Sequence, residues 1–393
     1  MDGKKGRFTR RQFLTTSAAL GAGALLPGSL TAEEAAKTAK AAMPTKILGK
    51  TGERVTALGF GSALNVTPPL LNIALAEGIT YIDTAQGYGN GNSEKNIGAI
   101  LDQNGRRKDC FIVTKSGDHS VEGFASSLEN DSLPRLRTDY VDLYYLHNLG
   151  DPDRLDDEMK QTAESLKKRK KIRFFGFSSH HDNMVPTLNK AAEVGFVDAI
   201  MFKYNFRDYD NAELNKAMDK CAKAGIGLIA MKTQGGAVSF QDRVDPFTEK
   251  GFNKHQACLK AVWADDRIHC IVSAMKNLSQ LKENAEAARR PSMGLLERQL
   301  LDEYAAETSH LYCRGCAHNC EGCVNAPLQI ADTLRYRMYH ENYGDREEAR
   351  RLFSELPTRA RAIAGVDFTA AEAACPHNLP IGALMRDAAA KLA

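Results

Sequence analysis

Residues 79–89 read Ile79-Thr80-Tyr81-Ile82-Asp83-Thr84-Ala85-Gln86-Gly87-Tyr88-Gly89. A short run of β-branched and aromatic residues ends on a carboxylate, and a tyrosine follows before a glycine. Working outward, the same kind of run recurs at 55–60, 110–115, 141–147, 172–178, 199–204, 227–232 and 270–274. Together with 80–83 these predict eight strands, rich in Ile, Val, Phe and Tyr as buried parallel strands are. Helix-length segments separate most of them. Asn92-Ser93 ahead of 94–101 predicts a capped helix start. Residues 155–168 carry Met159, Ala163 and Leu166 on one face and charges on the other. Eight strand–helix cycles between residues 45 and 295 match the size of an α/β (β/α)8 TIM barrel. A doubly wound open sheet would want a Gly-rich phosphate turn after its first strand, and 59–63 is too short for one.

In such a barrel, chemistry sits where strands finish. The second predicted strand ends at Asp83, the third at Lys115 and the fourth at His147, and Tyr88 follows the second. Any one of them has a plain structural reading: a turn cap, a surface ring, a rim charge, a satisfied core histidine. Their joint occurrence at successive strand ends is what points to a site.

Here the chain resembles the aldo-keto reductases over most of residues 45–295, through Asp83-Thr84-Ala85-x-x-Tyr88-Gly89 and the two later strand ends. The resemblance implies a catalytic four of Asp83, Tyr88, Lys115 and His147, acting on a small carbonyl or sugar substrate. The chemistry is coherent. Hydride delivery to a carbonyl needs a proton donor at the developing alkoxide. A free tyrosine, with a pKa near 10, is a poor acid at neutral pH. Lys115, held by Asp83, is expected to lower it. His147 is expected to donate a hydrogen bond to the carbonyl oxygen.

The resemblance also implies an NADP or NAD site across the barrel mouth, and this chain departs from the family pattern there. Where the family has Ser-Asn after the fifth strand, this chain has Ser178-Ser179. Met201 stands for a glutamine on the sixth strand and cannot pair with an amide as Gln would. Met231, followed by Lys232, stands for a stacking aromatic, and a thioether can still pack on a ring. Ser273, Lys276, Glu283 and Asn284 fit the adenosine end. Gln280 replaces an arginine that often meets a 2′-phosphate, leaving Lys276 or Lys282 to supply the charge. The expected cofactor is NADP ahead of NAD. The rival reading is a silent nucleotide-binding barrel that serves as an interaction or electron-transfer partner.

The N-terminus reads as an address. Arg10-Arg11 precede Phe13-Leu14 and a short apolar run to Leu26, then Pro27-Gly28-Ser29. A basic start, a run too short to span a bilayer and a small-residue exit make an export signal, and the paired arginines resemble the twin-arginine type. The address implies its partners and place: the Tat export machinery, a periplasmic destination, and no stable membrane span after cleavage. Residues 1–32 hold five basic side chains against Asp2, so their removal lowers the formal charge of +3 by four, to −1. A near-neutral mature chain gives no case for nucleic acid. A hydrophobic fraction of 43% and a charged fraction of 26% exclude a disordered chain or a multi-span membrane protein. No internal repeat or low-complexity run is present.

Residues 296–393 do not continue the barrel pattern. Cys313, Cys316, Cys320 and Cys323 fall within eleven residues, and Cys375-Pro376 follows much later. The layout resembles the ferredoxin-like tail of some family members, with helix candidates at 330–339 and 350–356. Two clusters need about eight ligands, so five cysteines leave room for one [4Fe–4S] cluster, its fourth ligand Cys323 or Cys375. Zinc and disulfides, favoured by an oxidising compartment, stay open. Hydride carries two electrons and a cluster takes one at a time. A structural role, or one facing a redox partner, is therefore expected rather than an internal wire. The resulting organisation is a leader at 1–32, a barrel at 45–295 and a mostly helical cysteine-rich region at 296–393. The substrate loops, near 117–123 and 233–252, are too generic to name a ligand.

Overall fold

A computed structural model describes residues 41–63, 66–181, 183–236 and 245–393. The leader expected at 1–32 and residues 237–244 of the second substrate loop lie outside them. The chain divides into two compact units, 1–41 and 42–393, and the second holds both the barrel and the tail.

An antiparallel pair opens it, β1 (Thr45–Ile47) with β2 (Arg54–Thr56). Eight parallel strands then close into a barrel: β3 (Leu58–Gly61), β4 (Tyr81–Asp83), β5 (Phe111–Ser116), β6 (Val141–Leu146), β7 (Ile172–Ser179), β8 (Ala199–Lys203), β9 (Gly227–Met231) and β10 (Ile268–Ala274). The barrel expected from the sequence is present. The predicted strand at 55–60 is two elements, because the chain turns at Ala57 from the β1–β2 pair into the barrel wall. The Ala57 carbonyl accepts from the Ile271 N–H at 2.9 Å and from Trp263 Nε1 at 3.0 Å, sealing the seam between first and last strands.

Side chains along each strand alternate between two environments, as a pleat requires. Leu58, Phe60, Ile82, Ile112, Tyr144, Phe175, Phe177, Ile200 and Phe202 face the surrounding helices in the main apolar core. Tyr81, Phe111, Val113, Leu143, Tyr145, Met201, Ile229 and Val272 fill the barrel interior. This alternation fixes what reaches the mouth. Two residues on from Tyr81 is Asp83, from Val113 is Lys115, and from Tyr145 is His147.

The helices follow their sequence signals with one exception. In the helix Asp157–Lys168, Asp156 caps the Met159 N–H at 2.8 Å, and Met159, Ala163 and Leu166 are buried as expected. The helix Asn92–Gln103 has no side-chain cap. Ser93 instead bonds Ser62 Oγ at 2.7 Å and Thr84 Oγ1 at 2.8 Å, tying the β4 loop down.

Residues beyond 291 are mostly helical and share the unit with the barrel. The helix Leu295–Thr308 belongs with the barrel wall: Leu300, Leu301 and Tyr304 pack in one cluster with Phe206, Phe247 and Ala261. Arg207 Nη2 donates to Thr308 Oγ1 at 2.6 Å. Further on, Ile330–Glu341, Arg346–Glu355 and Ile381–Leu392 form a second core around Ile330, Leu334, Phe353 and Met385. Ile330–Glu341 lies over the barrel mouth as its roof helix.

Candidate active site

The floor of the site is a buried ion pair. Lys115 Nζ lies 2.7 Å from Asp83 Oδ1 and donates to the Thr84 carbonyl at 2.6 Å; neither side chain is more than 4% exposed. Burial weakens both charges, pushing the Asp83 carboxyl up and the Lys115 ammonium down, and each opposes the shift in the other. Tyr88 sits on the turn Tyr88–Gly91, whose Gly89, Asn90 and Gly91 all hold positive φ. That backbone suits glycine, and a Cβ on Gly91 would lie 2.8 Å from the Arg135 guanidinium carbon. The turn brings the Tyr88 ring centroid to 5.0 Å from Lys115 Nζ and 5.6 Å from the His147 ring, edge to face.

All four catalytic candidates therefore converge at one end of the barrel. One expectation is corrected: the Tyr88 phenol is pushed up, by burial first and then by Asp83 and Tyr339. Burial disfavours the phenolate, and the Asp83 carboxylate and Tyr339 add to that, so the phenol stays protonated until the reaction calls on it. His147 is pushed down to about 3 by burial, Lys115 and His119, so it is a neutral imidazole at ordinary pH.

The residues expected at a nucleotide divide. At the far end, Asn284 Nδ2 donates to Ser273 Oγ at 3.0 Å, and the Lys276 N–H donates to Gln280 Oε1 at 2.8 Å. The Glu283 backbone carbonyl accepts from Gln256 Nε2 at 3.0 Å. At the near end, Ser178 is on the inward side and its hydroxyl accepts from the Asn148 N–H at 3.1 Å. Ser179 is on the outward side with Phe175 and Phe177, its hydroxyl taken by the His181 N–H at 3.1 Å. Met201, 2% exposed, is one layer too deep and packs in the barrel interior. Met231 lies against the edge of that cluster. The alternation that buries Met201 lifts Lys203 to the mouth, as Ser178 lifts His180. Sequence reasoning misses both, and counting two residues on from each strand's last inward side chain would find them.

The roof is missed in the same way. Lys232, at φ +56, donates from Nζ to the Tyr339 hydroxyl at 2.6 Å. Burial alone would raise the Tyr339 phenol, but Lys232 and Arg335 outweigh it and hold it below the usual tyrosine range. Arg335 Nη1 lies 3.4 Å from His180 Nδ1. Lys276 Nζ donates to the Tyr343 carbonyl at 2.6 Å and pairs with Asp345. Lys232 and Lys276, both expected to meet a nucleotide, are thus engaged by the tail.

In the tail, Cys313, Cys316, Cys320 and Cys375 line one small cavity with Pro376 and His377. Cys323 stands apart and exposed, its thiol donating to the Asn319 carbonyl at 3.4 Å. All nine cysteines are free thiols, so no disulfide staples the described tail. Burial pushes the Cys313 thiol up to about 11 and that of Cys320 up to about 12. Among the described residues, no three His, Cys, Asp or Glu side chains close tightly enough to hold a metal ion. The expected set of Cys313, Cys316 and Cys320 with Cys323 or Cys375 is therefore not drawn into ligand geometry here, and Cys323 turns away on its own short helix.

A closed parallel barrel with a tyrosine, a buried lysine–aspartate pair and a histidine at its mouth defines an oxidoreductase of the hydride-transfer class. The model of the aldo/keto reductase family matches residues 65–291, and the chain belongs to that family. A twin-arginine translocation pathway signal matches residues 7–27, which supports export by that route. An uncharacterized oxidoreductase, YqkF, of Bacillus subtilis is 32% identical over 265 residues, 59% of this chain and 85% of that protein. L-galactose dehydrogenase of Arabidopsis thaliana is 26% identical over 298 residues, 66% of this chain and 93% of that protein. Among solved structures, the holo form of aldo-keto reductase AKR11C1 from Bacillus halodurans superposes with a TM-score of 0.56 at 25% identity, covering 66% of this chain and 96% of that one. No described helix is long and apolar enough to cross a membrane.

Proposed function

We propose that the protein is an exported, periplasmic reductase or dehydrogenase that interconverts the carbonyl and alcohol of a small polar metabolite, with Tyr88 as proton donor. The observation that carries this reading is the convergence of Tyr88 and His147 over the Lys115–Asp83 pair. A nicotinamide dinucleotide, NADP ahead of NAD, supplies or accepts the hydride when bound. Ser273 and Asn284 already form one polar cluster at the end where its adenosine would lie, and Lys276 would exchange its tail partners for it. The relatives add support: one is named for a sugar dehydrogenase activity and one barrel was solved in holo form.

Tyr88 holds its proton because burial disfavours the phenolate. Hydride arrival makes the carbonyl oxygen basic, and that oxygen then takes the Tyr88 proton. Lys115 stabilises the phenolate left behind, which gives it a use beyond its pairing with Asp83. Neutral His147 donates an N–H that orients the same oxygen. Single-turnover mixing of the full chain with reduced dinucleotide and a panel of aldehydes and sugars tests the reading. Absence of dinucleotide oxidation across the panel would favour the silent, partner-binding alternative.

The tail's share is one [4Fe–4S] cluster on Cys313, Cys316, Cys320 and Cys375, facing a redox partner rather than the substrate. The four free thiols around one cavity support it. The thiols are not in ligand geometry as they stand, so a cluster would have to draw them together. Anaerobic purification with iron and sulfide analysis tests it, and a colourless, iron-free protein sinks it.

A further inference from the structure

Between the barrel mouth and the tail lies a cavity of about 720 Å³, and none of the catalytic four lines it. Its walls carry Lys203 and Lys232 from strand ends, and Arg314, Arg335, Arg337 and Lys391 from the tail. Charge accounting separates these into two groups. Arg335 is paired with Asp332 at 2.7 Å, Arg337 with Asp387 at 2.5 Å, and Lys391 with Glu341 at 2.8 Å. Lys203, Lys232 and Arg314 have no carboxylate within ion-pair distance among the described residues. Lys203 donates to the Arg314 backbone carbonyl and Lys232 to the Tyr339 phenol, both neutral acceptors. Arg314 Nε is buried with no hydrogen-bond partner. Glu307 also reaches the wall, and Glu341 does so while holding Lys391.

Half-buried cations without counter-charges cost stability unless something else supplies the charge. One neighbour registers the positive field. His180, which lines the cavity, is pushed well down by burial and by Lys232, Arg335, His147 and Lys203. Lys232 keeps a left-handed backbone to present its ammonium here, a conformation uncommon for lysine. The volume suits a small metabolite, within the roughly 300–1,000 Å³ of ligand sites. The cavity also adjoins the chemistry: His180 senses His147, and Tyr88 senses Tyr339, which Lys232 bonds.

We propose that the substrate carries an anionic group, a carboxylate or a phosphate, seated by Lys203, Lys232 and Arg314 while its carbonyl meets Tyr88 and His147. This rests on the reductase reading and narrows it from polar metabolites to acids and phosphate esters.

The test is equilibrium binding to the full chain, which needs no turnover. Glucose, glucuronate and glucose 6-phosphate serve as matched neutral, carboxylate and phosphate probes in calorimetric titrations. The expected result is measurable binding of at least one anion and none of glucose. Lys203→Met and Arg314→Met should each weaken that anion roughly tenfold, the loss of one charged hydrogen bond. Lys203→Arg should retain affinity, which guards against a folding defect. Whichever anion binds tells a carboxylate seat from a phosphate seat. Three results overturn the proposal: neither anion binding at millimolar concentration, equal affinity for glucose, or affinity unchanged in both Met variants. Displacement of the bound anion by NADP and NAD alike also overturns it, because the seat would then belong to a cofactor phosphate. Anion binding with no hydride transfer on any substrate leaves the seat standing and removes the reductase reading instead.

Discussion

The barrel floor and the tail roof meet at one mouth, yet they are built on different terms. On the floor the charges are matched within a few ångströms: Lys115 has Asp83 and Thr84 and is shut away from solvent. On the roof two strand-end cations, Lys203 and Lys232, are held by a backbone carbonyl and a phenol. A group whose charge is matched within the protein is fixed in place. A group held by neutral acceptors can trade them for a stronger anion. The floor therefore reads as preorganised chemistry and the roof as an adaptable binding surface.

That contrast can be broken experimentally. The largest effect belongs to Tyr88→Phe, which removes the proton donor while leaving the fold intact. Single-turnover hydride transfer should fall about a thousandfold, within the usual range for a general acid, and an unchanged rate would remove Tyr88 from that role. Next is Lys115→Met. It strands a buried carboxylate on Asp83, whose Oδ2 already has no hydrogen-bond partner, and should cost about 3–5 kcal/mol in denaturant titrations. A loss below about 1 kcal/mol would mean the pair is not buried as described.

A smaller effect concerns pH. His147 is pushed down to about 3 in the folded chain, so the unfolded chain takes up a proton below about 6.5 that the folded one refuses. Its contribution is full above about pH 6.5 and is lost as pH falls toward 3, by about 1.4 kcal/mol per unit. His147→Gln should flatten that part of the acid limb, and unfolding curves at pH 7 and pH 5 would show whether it does. The smallest effect tests the roof. Asp345 pairs with Lys276, the lysine proposed to meet a 2′-phosphate. Asp345→Asn should tighten NADP several-fold over NAD, read by dinucleotide fluorescence titration, because one like charge is removed.

Floor and roof also differ in how far the sequence reveals them. Asp83, Lys115 and His147 are legible because each ends a run whose period of two is local. The same rule extended by one step reaches Lys203 and His180, and it turns Ser179 outward. Met201 is misplaced when a family position is read without asking how deep it lies. The roof has no local signature. Lys232 meets Tyr339 across 107 residues and Lys276 meets Asp345 across 69. Such pairings follow from how the tail helices pack on the mouth, which no short window of sequence encodes. The choice between Cys323 and Cys375 is of the same kind. Adjacency in sequence favours the first, and the packing of the tail core places the second beside Cys313.

The seam at Ala57 has a practical consequence. Trp263 is the sole tryptophan of the chain and its indole N–H is bonded across that seam. Its fluorescence is thus a native reporter of ring closure, blind to whether the tail has docked. A red shift in emission dates the parting of the first and last staves of the barrel, and lifting the roof alone should leave the signal where it was.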